Sequence, residues 1–141
     1  MRISRRGEYG LAAILYLAMQ PDGKLSLRDE IAGRCGIPRT FLAQILAKLR
    51  SRGILGSVRG KKGGYYLKAE PHCLSLADVL EALEGPITLI RSIKEEDPGQ
   101  TDFVNSTMND FRGRLQTRGY ELLKSLKISE IPATHDATAD K

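Results

Sequence analysis

The chain of 141 residues has little of what catalytic and metal sites are built from. It holds two cysteines, Cys35 and Cys73, and two histidines. Two thiols make no disulfide framework, and no CxxC or Cys/His cluster with metal-ligand spacing occurs. Free thiols suit a reducing cytoplasm. Without a Ser/His/Asp set, a P-loop or paired carboxylates, no enzyme is expected. Also absent is an apolar run of the ~20 residues that cross a bilayer. The nearest approach is residues 9–19, preceded by Arg2, Arg5 and Arg6 in the manner of a signal peptide. Glu8 interrupts that basic region, and Gln20-Pro21-Asp22 offers no small-x-small cleavage site. The run therefore reads as a helix buried on more than one side, and the protein as cytoplasmic.

Acidic residues are scarce in one half only. Residues 1–70 carry 14 Lys/Arg against 5 Asp/Glu, net +9, whereas residues 71–141 carry 8 against 12, net −4. A solvated surface usually mixes its signs, and a half this basic suits contact with phosphates.

The chain is organised around residues 27–66, which lie in the basic half. Ala32 is small enough for a close helix crossing, and four residues later Gly36 can take a left-handed turn. Ile37 plugs the angle and Pro38 fits the first turn of a second helix. There Phe41, Leu42, Ile45, Leu46 and Leu49 share one face. The opposite face carries Arg39, Thr40, Ala43, Gln44, Lys48 and Ser51. Such a helix suits a DNA major groove. Residues 54–58 and 65–67 then read as two short strands around the cationic tip Arg59-Gly60-Lys61-Lys62-Gly63-Gly64. A basic hairpin directly after a recognition helix is a wing.

Elsewhere, Ser4 can cap a first helix ending near Met19, and Ser26-Leu27-Arg28-Asp29 resembles a capping box. Ser75-Leu76-Ala77-Asp78 repeats that pattern for a short helix with Leu76, Val79, Leu80 and Leu83 on one side. A long helix should begin at Thr101 or Asp102. Its Val104, Met108, Phe111, Leu115, Leu122 and Ser125 lie near a heptad seam broken by Arg118, so it needs a partner, either a second copy or the first helix of the same chain.

MRISRRGEYGL at the start, IPRTFLAQIL in the second helix of the motif, RGKKGGYYL in the wing and LADVLEALEGP after it resemble the Rrf-two family. These are bacterial winged-helix transcription regulators, among them an iron–sulfur cluster regulator, a nitric-oxide-sensing repressor and a cysteine-metabolism repressor. The similarity runs nearly without gaps to about residue 86 and more loosely through the long helix. It implies a mainly α fold with a small β-wing: a winged helix-turn-helix over residues 1–85, a loop over 86–101, a dimerisation helix over 102–127 and a tail over 128–141. It further implies a homodimeric repressor of double-stranded DNA, paired through Met108, Phe111, Leu115 and Leu122. Thr40 and Gln44 would reach base edges, and Arg59 matches the family's minor-groove arginine. Arg39, Arg50, Lys61 and Lys62 would touch phosphates beside Gly60. Ala43 departs from members with a longer polar residue there.

Many relatives hold a cluster through three cysteines in the loop before the long helix. Here residues 86–110 contain neither cysteine nor histidine, and the first cluster cysteine falls on Ser92. Glu8 stands where some members supply a carboxylate ligand. A cluster takes about three thiolates or equivalents, and this loop offers Ser92, Glu95, Glu96 and Asp97, so no cofactor is expected. Cys35, whose pKa Arg34 would lower slightly, and Cys73 remain as candidate thiol sensors, with small filler or surface thiol as the plainer reading. A metabolite or a protein effector stays open beside them. Use of the winged helix for protein or RNA contact is the remaining alternative.

Overall fold

A computed structural model of the protein describes residues 2–89 and 99–131. Helix α1 (Arg5–Ala18) starts where Ser4 Oγ accepts the Gly7 N–H at 3.1 Å. Its Ala13, Ile14, Tyr16 and Leu17 are buried. The second apolar face that the sequence demands a cover for lies against α4 (Leu76–Glu84) within the same chain. Two glycines allow that crossing. A Cβ on Gly10 would stand 2.2 Å from Leu83 Cδ1, and one on Gly7 3.3 Å from Leu80 Cδ2. The helices therefore meet backbone to side chain.

Helix α2 (Arg28–Cys35) ends at Gly36, left-handed with φ 67° and ψ 34°. The following Ile37 N–H returns to Ala32 O at 3.0 Å, and both residues are buried at the helix crossing. Pro38 occupies the N-cap of α3 (Arg39–Ser51), one position ahead of the first turn expected for it. Leu42, Ile45, Leu46 and Leu49 of α3 are buried, and Phe41 meets Tyr9 edge-on with ring centroids 5.6 Å apart.

The capping box expected at Ser26 does not form. Leu27 is the N-cap of α2, and no side chain caps the helix. Ser26 is instead fully buried and exchanges backbone hydrogen bonds with Tyr65 at 2.9 and 2.8 Å. That pairing ties the entrance of α2 to strand β2 (Gly64–Leu67), which runs antiparallel to β1 (Leu55–Val58) with Leu55 opposite Leu67 and Val58 opposite Gly64. Among the described residues the architecture is mainly helical with this one small sheet.

At α4 the reciprocal cap is present: Asp78 N–H donates to Ser75 Oγ at 3.0 Å and Ser75 N–H donates to Asp78 Oδ2 at 2.9 Å. Helix α5 (Asp102–Ser125) is capped by Thr101 Oγ1 and buries none of its residues fully. It is nevertheless fastened to the rest of the fold. Gln116 accepts the Leu89 N–H and donates to Ile87 O, both at 2.8 Å. Beyond its end, Leu76 N–H donates to Leu126 O and Ile128 N–H to Leu74 O, again at 2.8 Å. Ile128, expected in a tail, is 2% exposed and belongs to the core. Residues 132–141 of that tail lie outside the described residues.

Candidate DNA-binding surface

The helix-turn-helix leaves one face of α3 to solvent because its other face is needed for the core. Arg39, Thr40, Gln44, Lys48 and Ser51 are exposed and Ala43 is half-buried, matching the polar face read from the spacing. Arg39 stands 3.5 Å from Asp29 of α2, both largely exposed. Arg50 is exposed in the last turn and donates to Ser57 Oγ of β1 at 3.0 Å, which joins α3 to the wing. At the wing tip Arg59, Gly60, Lys61 and Lys62 are all exposed, and Gly63 N–H closes the turn on Gly60 O at 3.0 Å. The structure thus brings Arg50 and Arg59 to one groove between helix and wing. Thr40 and Gln44 lie earlier on α3, toward its N-terminal end.

The seam of α5 is uncovered. Met108, Phe111, Leu115 and Leu122 are 37%, 54%, 44% and 59% exposed, and Val104 is exposed beside them. A neighbouring side of α5 faces α4 and residues 87–89. A Cβ on Gly119 would stand 2.2 Å from Leu89 Cδ1, and Lys124 Nζ donates to Asp78 Oδ1 at 2.6 Å. Burial alone would raise the Asp78 carboxyl, but Lys124 and Ser75 outweigh it and hold the group below the usual aspartate value. Gly119, Gln116 and the returning Ile128 escaped sequence reasoning because each acts through a contact distant along the chain.

The thiols are apart in the fold. Cys35 is half-buried at the end of α2, and its Sγ lies 3.9 Å from Ala12 O. Burial pushes its pKa up, overturning the lowering expected from Arg34. Cys73 is exposed ahead of α4, and the neighbouring His72 stands 3.8 Å from Glu70. Glu8 is exposed in the first turn of α1. Ser92, Glu95, Glu96 and Asp97 lie outside the described residues. Among the described residues no three His, Cys, Asp or Glu side chains gather as metal ligands would. The whole chain offers two thiols, Cys35 and Cys73, where a cluster takes about three thiolates or equivalents. Among the described residues, no helix is long and apolar enough to cross a membrane.

Comparison with known proteins agrees with this geometry. The Rrf2 family model, described as an iron-dependent transcriptional regulator, matches residues 3–134. The HTH-type transcriptional regulator CymR of Bacillus subtilis is 35% identical over 103 residues, 72% of this chain and 74% of that protein. The Synechocystis sp. protein slr0846, likewise named for an HTH-type regulator, is 41% identical over 131 residues, 93% of this chain and 87% of its own. Among solved structures, that of CymR, the global cysteine regulator of B. subtilis, superposes with a TM-score of 0.80 at 27% identity, covering 96% of this chain and 99% of CymR. The chain belongs to the Rrf2 family of winged-helix, DNA-binding transcription regulators.

Proposed function

We propose that this regulator is a homodimeric, cytoplasmic repressor that reads duplex DNA with α3 and the wing and works without an iron–sulfur cluster. The observation that carries this reading is the pair of uncovered surfaces. One is the cationic face formed by α3 and the wing tip, and the other is the apolar seam of α5. In the first, Thr40 and Gln44 contact base edges, Arg59 enters the minor groove, and Arg39, Arg50, Lys61 and Lys62 hold phosphates with Gly60 at the turn. In the second, Met108, Phe111, Leu115 and Leu122 pair with the same residues of a second copy. Residues 1–85 form the DNA-binding unit, 86–101 a loop, 102–127 the pairing helix and 128–141 the C-terminal segment. The cluster-free reading rests on the two separated thiols described above, and the repressor role on resemblance to the family's repressors.

Selection from a pool of random duplexes is the direct test. A two-fold-symmetric site, with half-sites about one or two helical turns apart, is expected. No enrichment, or preference for single-stranded RNA, would refute DNA reading. Protein purified without oxygen should hold less than stoichiometric iron and sulfide and select the same site after chelation. If oxidant releases it from DNA, Cys73→Ser should abolish the response and Cys35→Ser should not, since Cys73 is the exposed thiol.

A further inference from the structure

When α3 lies in the major groove and Arg59 in the adjacent minor groove, one sugar–phosphate strand must pass between helix and wing tip. At that place the structure has an open groove of about 460 Å³. Three arginines from three elements line it: Arg28 at the start of α2, Arg50 at the end of α3, and Arg59 in the wing. Gly60, Gly63 and Gly64 also line it, and at those three positions no side chain holds a backbone away. The one acid there, Asp29, is answered by Arg39 at 3.5 Å. Among the described residues no carboxylate lies within 4 Å of the Arg28, Arg50 or Arg59 guanidinium.

From this convergence we propose that the groove seats the phosphates of the strand dividing the two DNA grooves, with Arg28 as a phosphate-holding residue. Its partner is duplex DNA, so the inference rests on the function proposed above and extends it to α2. Leu27, Arg28 and Asp29, at the N-terminal end of α2, line the same groove, and no side chain caps that helix end, where the helix dipole favours an anion. Two phosphate contacts on α2 and α3, tied to the wing through Arg50 and Ser57, fix the span between base reading and minor-groove entry.

The test uses the duplex that the parent protein selects. Arg28→Ala should weaken selected and random duplexes by the same factor and lower the salt slope by about one unit per half-site. Arg114→Ala, on exposed α5, should leave the slope unchanged. Replacing phosphates one at a time by neutral methylphosphonates should reveal one position per half-site where the parent loses affinity and Arg28→Ala does not. If the parent selects a duplex but Arg28→Ala keeps its affinity and slope, this inference fails alone. A weakened Arg28→Ala that no neutral phosphate equalises would also overturn it, since the arginine would then act on the fold. If the parent selects nothing, the DNA reading itself fails and this assignment with it.

Discussion

Helices α1 and α5 are both amphipathic, yet they are held in opposite ways. The 14-residue α1 buries six residues, and its neighbours α2, α3 and α4 all belong to the same chain. The 24-residue α5 buries none, and touches the rest of the molecule along one side and at its exit. An apolar helix with covered faces is an element of the core. A helix whose apolar seam is open while its inner side is fastened is the one that the proposed dimer would pair. The contrast separates two kinds of damage, loss of folding and loss of assembly.

The largest effect is expected at α5. Leu115→Asp puts a charge in the seam without touching the core, so the protomer should stay folded and sediment as a monomer at micromolar concentration. Because two half-sites are then no longer bound together, affinity for the selected duplex should fall about 10²–10⁴-fold. A variant that remains dimeric would remove α5 from the interface. At α1 the converse holds. Gly10→Val meets the buried Leu83 side chain, and overpacking should cost about 1–3 kcal/mol in urea unfolding. The residual folded protein should still be dimeric.

Smaller effects sharpen the comparison on the DNA side. Gln44→Ala should cost about 1–3 kcal/mol of binding and relax preference at one base pair per half-site. Lys62→Ala should weaken all duplexes alike and lower the salt slope by about one unit per half-site. Base preference that follows Lys62 while Gln44 is silent would mean a different docking of α3.

The smallest effect lies at α4, which packs against both α1 and α5. The Asp78 carboxyl is held below its usual range by Lys124 and Ser75, against the pull of burial. Its contribution is therefore present above the unfolded aspartate value and lost as pH falls below about 4. Asp78→Asn should cost about 0.5–1 kcal/mol at neutral pH and flatten that part of the acid limb. Urea midpoints measured across pH values would show an unchanged acid limb if the pair contributes nothing.

Most of the DNA-binding unit was legible because its signals are local. The Ala32-Gly36-Ile37 spacing, the α3 stripe, the basic hairpin and the Ser75–Asp78 box each act within a few residues. Ser26 shows how a local signal misleads. Its spacing to Asp29 imitates a cap, but its backbone is taken by Tyr65, nearly forty positions on. Gly10 gave no signal of its own because the side chain it admits, Leu83, arrives from another helix. In the same way Ile128 looks like a tail residue until the chain is seen to return to Leu74. In the candidate site, the exposed face of α3 and the exposed wing tip were legible, whereas the placing of Arg28 beside Arg50 and Arg59 was not, since it exists only after folding.

The grip of Gln116 on Ile87 and Leu89 has an engineering consequence. One end of the connection into α5 is clamped at Leu89 and the other begins at the Thr101 cap. Insertions there add chain-closure entropy of only ~0.6 kcal/mol per doubling of length. An insertion between residues 89 and 101, carrying a ligand-binding peptide or a set of cysteines, is therefore expected to leave the Gln116 clamp and the Thr101 cap with their own partners.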